Sequence, residues 1–113
     1  MSRAVTFGIV GGYGATGRIV ASELWKSSCD GEILVGGRDL AKGKALAAEF
    51  DSRVSAVQLD VLDDRSLDDF CGRCSILINC AGPVIVLQDR VAQAAFRARC
   101  KYIDKEAMLP HRQ

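Results

Sequence analysis

Gly11-Gly12-Tyr13-Gly14-Ala15-Thr16-Gly17 stands between an apolar run, Ala4 to Val10, and a helix-forming stretch, Gly14 to Ser27. Two glycine spacings overlap in it: Gly12, Gly14 and Gly17 form G-x-G-x-x-G, while Gly11, Gly14 and Gly17 form G-x-x-G-x-x-G. A strand, a glycine turn and a helix in this order make a phosphate cradle, and each glycine answers a separate demand. One of Gly11 and Gly12 permits the tight turn. Gly14 lets the backbone approach a pyrophosphate, and Gly17 lets the helix lie close on the sheet. The amides near Ala15 and Thr16 then aim free donors, at the positive end of the helix, toward the phosphates. Tyr13 is expected over this loop or packed on the domain surface, packing being the plainer role. A structural glycine turn in some other α/β protein is the competing explanation, and the rest of the chain argues against it.

Downstream, short apolar runs alternate with helical ones. In the first helix, Ile19, Val20, Leu24 and Trp25 are expected on the inner side. Ile33-Leu34-Val35 is a second strand, and a helix is expected from about Leu40 to Phe50 with Leu40, Ala47 and Phe50 apolar. Val54 to Leu59 is a third strand, and Asp64 to Phe70 a short helix capped by Ser66. Ser75 to Asn79 is a fourth strand. Val86 to Arg99 is a helix offering Val91, Ala94, Ala95 and Ala98, and Lys101 to Ile103 begins a fifth strand. Nearly continuous apolar strands belong to a parallel sheet covered on both faces, and the alternation makes each pair a right-handed crossover. The expected fold is therefore α/β: a doubly wound parallel sheet in order 3-2-1-4-5, in a three-layer α/β/α Rossmann arrangement. Residues 1–107 form one dinucleotide-binding domain, and 108–113 are a tail.

The end of the second strand selects the dinucleotide. An NAD site usually places an acid there to accept from both ribose hydroxyls. Here the chain reads Gly36-Gly37-Arg38-Asp39, with glycines where the acid is expected and an arginine behind them. A guanidinium can fork onto a 2′-phosphate and stack on adenine, and Lys42 adds charge one turn later. Glu32 falls at the wrong end of the strand. Asp39 is the rival as a ribose acceptor, but capping the second helix is its simpler role. NADP is thus favoured over NAD.

Bulk composition sets outer limits. The 113 residues suffice for one domain, 49% are apolar and 26% charged, and the net charge is +1. Such a balance gives no field to draw in nucleic acid or an anionic membrane. No apolar run approaches the ~20 residues that span a bilayer, and the N-terminus has no secretory pattern. Five cysteines, an odd number, argue against a disulfide framework and for a reducing, cytoplasmic setting.

With these pieces in place, the sequence resembles the NADP-binding domain of the saccharopine dehydrogenase-like oxidoreductases. The resemblance rests on the glycine loop through Arg18, on Gly36-Gly37-Arg38-Asp39-Leu40-Ala41, and on Asp60. It continues in Ile78-Asn79-Cys80-Ala81-Gly82-Pro83, Gln88-Asp89-Arg90-Val91-Ala92 and Tyr102-Ile103-Asp104. It covers almost the whole chain, and the Asn-x-Ala-Gly-Pro segment is its most specific part. By this resemblance Asp60 and Val61 flank the adenine, while Asn79, Cys80, Ala81, Gly82 and Pro83 line the nicotinamide side. It implies a hydride-transfer enzyme whose small-molecule substrate is held by a second domain outside these residues, with the tail as a truncated connector. An NADP(H)-sensing module without turnover is the alternative. After Tyr-x-Asp the family continues with a glycine and an acid, whereas Lys105-Glu106-Ala107 keeps only the acid. Two copies can also pair at the strand-five edge as a homodimer.

Other constellations carry less. Cys71-Gly72-Arg73-Cys74 has redox or half-zinc spacing, but no second ligand pair accompanies it, and small packing residues explain it better. Cys80 reads as an apolar filler before a reactive thiol. Tyr102 lacks a lysine four residues on, since position 106 is glutamate, and His111 stands alone in the tail. Asp63, Asp64, Asp68 and Asp69 make a solvated face rather than a metal site.

Overall fold

A computed structural model of the chain describes residues 5–27, 31–80 and 85–104, with backbone alone at 85–88 and 104. Nine elements alternate along it: β1 (Thr6–Val10), α1 (Ala15–Ser27), β2 (Glu32–Gly37), α2 (Leu40–Ala47) and β3 (Val54–Gln58), then α3 (Asp64–Gly72), β4 (Ile76–Asn79), α4 (Ile85–Arg97) and β5 (Lys101–Asp104). The sheet is parallel throughout, in the expected order β3-β2-β1-β4-β5. β1 lies at its centre, with Ile9 paired to Val35 on one side and to Ile78 on the other.

Alternate residues of each strand feed two cores, as the two-residue period of a pleated strand requires. Val10, Leu34 and Leu77 point to the α3–α4 side, where they meet Leu67, Phe70, Cys71, Val91, Ala94 and Ala95. Ile9, Ile33, Val35 and Ile78 point the other way, onto Val20, Ala21 and Leu24 of α1 and Leu46 of α2. Both faces are dry, which is why the strands read as unbroken apolar runs.

Several local expectations are corrected. The buried stripe of α1 is Gly17, Val20, Ala21 and Leu24, a helical i, i+3, i+4, i+7 set, so Ile19 falls off it and is 46% exposed. α2 stops at Ala47, and its buried residues are Gly43 and Leu46, with the expected Ala47 and Phe50 packed against the same core. Phe50 lies beyond the helix and packs obliquely on Trp25, ring centres 5.6 Å apart. α3 is capped by Asp63, whose carboxylate accepts from the amides of Arg65 and Ser66. Ser66 instead accepts from the Asp60 amide at 3.1 Å. α4 ends at Arg97, and Arg99 takes a left-handed turn at φ 58° before β5.

Candidate functional site

β1 ends in mid-sheet between β2 and β4, whose connections leave on opposite faces. In an open α/β sheet that divergence opens a crevice at the carboxyl ends of the strands. The glycine loop sits there. Gly11 makes the turn at φ 76°, a left-handed conformation open to glycine at little cost. The amides of Gly11 and Gly12 both donate to the Gly36 carbonyl, at 2.9 and 3.0 Å, which pins the loop to the end of β2. A Cβ on Gly17 would lie 2.4 Å from the Gly12 Cα, so helix α1 seats directly on the loop backbone. Among the described residues, a Cβ on Gly14 would meet nothing within 4 Å beyond its own chain neighbours. Packing thus accounts for Gly17 and backbone conformation for Gly11, while neither accounts for Gly14.

Beside the loop is a cleft of about 270 Å³. Gly11, Tyr13 and Gly14 line one side, Gly36, Gly37 and Arg38 the end of β2, and Leu59 and Val61 the segment after β3. The Leu59 amide donates to the Gly37 carbonyl at 2.8 Å, which extends the β2–β3 ladder to the cleft. A second, polar recess of about 430 Å³ adjoins it, lined by Arg38, Gln58, Leu59, Asp60, Asp63 and Ser66. Arg38 borders both and is exposed, and its guanidinium makes no ion pair with a described residue. Asp39 is the N-cap of α2, its carboxylate accepting from the Lys42 amide at 3.3 Å, so helix capping occupies the rival acid.

Tyr13 leaves the loop sideways and closes the cleft wall. Its hydroxyl donates to the Val57 carbonyl of β3 at 2.8 Å. Its ring lies so near β2 and α2 that a Cβ on Gly37 or Gly43 would come within 2.6 or 2.3 Å of it. Burial pushes its pKa up, only partly offset by a hydrogen bond to the Gly37 backbone, and the nearby Asp39 charge raises it further. The packing role expected for Tyr13 is what the structure contains, and the same side chain lines the cleft.

The remaining expected site residues fall into three groups. Ala15 and Thr16 occupy the first turn of α1, where helix amides lack partners of their own. Val61 lines the cleft and Asp60 the adjoining recess, where the Asp60 carboxylate also braces its own turn by accepting from the Leu62 amide at 3.0 Å. Asn79 and Cys80 are buried at the end of β4. The Asn79 side-chain amide donates to the Tyr102 hydroxyl at 3.1 Å, and the Cys80 amide to the Val10 carbonyl at 2.8 Å. Ala81, Gly82 and Pro83 lie outside the described residues.

The sequence model of the saccharopine dehydrogenase NADP-binding domain matches residues 7–113. The chain belongs to that family. Among solved structures, this NADP-binding domain is similar to saccharopine dehydrogenase (L-Glu forming) from Saccharomyces cerevisiae. The TM-score is 0.78 at 25% identity, over 89% of this chain and 21% of the yeast enzyme. The domain therefore spans about a fifth of that enzyme's length. A short-chain dehydrogenase/reductase from Veillonella parvula, solved in complex with NADP, shares the fold. It matches at TM-score 0.73 and 16% identity over 90% of this chain and 47% of its own. No curated protein matched the sequence.

Away from the cleft, burial pushes the thiols of Cys71 and Cys74 up to about 12, so both stay protonated at neutral pH. Cys71 packs in the α3–α4 core, and the Cys74 Sγ fills the space above Gly8 of β1. Among the described residues no group of three or more His, Cys, Asp or Glu is placed to hold a metal. No helix among them is long and apolar enough to cross a membrane. Sequence reasoning placed Gly36 and Gly37 at the dinucleotide-selecting end of β2, but missed Leu59 as a cleft wall and Arg90, which reaches the segment after β3 from α4.

Proposed function

We propose that the cleft holds NADP(H) in extended form across the ends of the strands. In this reading the pyrophosphate lies over Gly11 to Gly17 and takes donors from the first turn of α1. Adenosine lies between Arg38 and Asp60-Val61, with the 2′-phosphate on the Arg38 guanidinium. The nicotinamide end runs toward Asn79 and Cys80, with Ala81, Gly82 and Pro83 assigned to it from the sequence. The single observation that carries the reading is Gly14: among the described residues nothing beyond its chain neighbours crowds a side chain there, whereas close approach by a bound pyrophosphate calls for a glycine. The positive end of α1 and the exposed Arg38 supply charge of the right sign at the two anionic points of such a ligand.

The cofactor would supply hydride-transfer chemistry, and this chain's own residues bind and orient it. Tyr13 and Val61 keep water from the adenosine walls, and the loop amides fix the phosphates. We assign substrate binding and any general acid or base to a second domain, since the domain spans only about a fifth of the yeast enzyme. On this reading the chain is the cofactor half of a two-domain oxidoreductase.

Titrating NADPH and NADH against wild type, Arg38→Ala and Arg38→Asp at one ionic strength tests the placement. Loss of a charge-assisted contact costs roughly 1.5–3 kcal/mol, or about ten- to a hundredfold in affinity. Arg38→Ala should weaken NADPH by that factor, reduced by screening at this exposed position, and leave NADH nearly unchanged. Arg38→Asp should go further by repelling the phosphate. Equal losses for both cofactors would remove Arg38 from the 2′-phosphate.

A further inference from the structure

The segment joining β3 to α3 forms the outer wall of the cleft, and it is held by side chains at nearly every peptide. Asp60 donates its amide to Ser66 and accepts the Leu62 amide on its own carboxylate, while the Asp63 amide donates to the Asp60 carbonyl at 3.0 Å. Two carbonyls between these points, those of Val61 and Leu62, are taken from outside the segment. Arg90 of α4 donates Nε to the Val61 carbonyl at 2.6 Å and an Nη to the Leu62 carbonyl at 2.7 Å. The same Nη lies 2.7 Å from the Asp64 carboxylate. A planar guanidinium satisfies two successive carbonyls in one geometry, which a lysine's single ammonium cannot reproduce.

We propose that Arg90 is a positioning residue for the adenosine wall: by gripping both carbonyls it sets where the Val61 side chain stands in the cleft. The inference rests on the cofactor placement given above. Arg90 is not needed to hold α3 and α4 together. Leu67, Phe70 and Cys71 pack on Val91, Ala94 and Ala95, and Arg97 pairs with Asp68 at 2.7 Å. Its loss therefore falls on the wall and leaves the helix pair docked. The ion pair with Asp64 is a minor partner, because the Asp64 side chain is 74% exposed and such pairs contribute little.

The test compares full-chain wild type with Arg90→Ala, Arg90→Lys and Asp64→Ala, each well below its melting temperature. Probes are NADPH, 2′,5′-ADP and 1,N6-etheno-NADP, whose fluorescent base reports solvent access through iodide quenching at saturation. Arg90→Ala should lose about tenfold in affinity for NADPH and 2′,5′-ADP alike, because binding must then re-order a wall that the two hydrogen bonds had already fixed. Its bound ethenoadenine should become markedly more quenchable. Arg90→Lys should fall between, and Asp64→Ala should match wild type in both readouts. Two results would overturn the proposal: unchanged affinity in Arg90→Ala, or lost affinity with ethenoadenine as shielded as in wild type. The second would mean a general loss of stability and not a displaced wall. Failure of wild type to bind the probes at all would instead overturn the cofactor placement, and this proposal with it.

Discussion

Alanine at Gly14 and alanine at Gly17 add the same methyl three residues apart, and the structure assigns them opposite consequences. At Gly17 the new Cβ would stand 2.4, 2.5 and 2.6 Å from the Cα, C and O of Gly12. Those are backbone atoms in a loop pinned by two hydrogen bonds to Gly36, so neither side can yield cheaply. Overpacking of this kind costs roughly 1–3 kcal/mol, and the helix-propensity gain of alanine, up to ~1 kcal/mol, offsets only part of it. At Gly14 no described residue beyond the chain neighbours lies within 4 Å of the added Cβ, and the position has no left-handed φ to lose. Its effect on folding should stay within about 0.5 kcal/mol of zero, as for surface substitutions generally. On the proposed placement the methyl would nevertheless stand where the pyrophosphate approaches the backbone. Holding the phosphates off the helix amides forfeits at least one charge-assisted hydrogen bond, roughly 1.5–3 kcal/mol, or about ten- to a hundredfold in NADPH affinity. Urea unfolding of the free proteins and NADPH fluorescence titration separate the two effects. Gly14→Ala should unfold like wild type and bind poorly, whereas Gly17→Ala should unfold early. A Gly14→Ala protein that binds NADPH as wild type does would refute the claim that a ligand explains this glycine.

Tyr13→Phe should lower the free energy of unfolding by about 1 kcal/mol, the net worth of the hydroxyl's bond to the Val57 carbonyl. Gly43→Ala should destabilise wild type, because its Cβ would meet the Tyr13 ring at 2.3 Å, yet stabilise a Tyr13→Ala background. The same sign in both backgrounds would show that ring and glycine are not coupled. For Cys71, the folded thiol titrates near 12 and the unfolded one near 9.0, so the folded state keeps its proton through that interval. Its contribution is complete below pH 9 and is lost as pH rises toward 12, by at most roughly 1.4 kcal/mol per pH unit. Denaturant titrations across that range should give a shallower alkaline decline for Cys71→Ala than for wild type, and equal slopes would contradict the burial argument.

The parallel sheet was legible because both faces are covered: strands such as Ile76–Asn79 are apolar on successive residues, as helix-covered parallel strands are. Five such strands are too few to close a barrel, which leaves an open, doubly wound order. The glycine spacing located the turn between β1 and α1, but left open whether Gly11 or Gly12 makes it, which depends on a φ angle. Ile19 and Ser66 show how local patterns mislead. Both fit a rule by residue type, yet the helical phase of α1 exposes Ile19 and an earlier acid caps α3. The long-range partners were the hardest to read. Tyr13 closes on residues 24 to 44 positions away, and the notch for its ring is made by two glycines whose meaning appears only in space. Arg90 lies 29 positions from the carbonyl it grips, and nothing in the sequence of α4 announces that contact.

Amide chemical shifts followed during an NADP titration test the central claim most directly, because they report which backbone groups meet the ligand. Saturable changes should concentrate at Gly11 to Gly17, at Gly36 to Arg38 and at Leu59 to Val61, and NADP should saturate them at lower concentration than NAD. Shifts centred instead on the opposite, exposed surface of α4 around Phe96, which is 85% exposed, or none at millimolar NADP, would contradict the assignment of this cleft as the cofactor site.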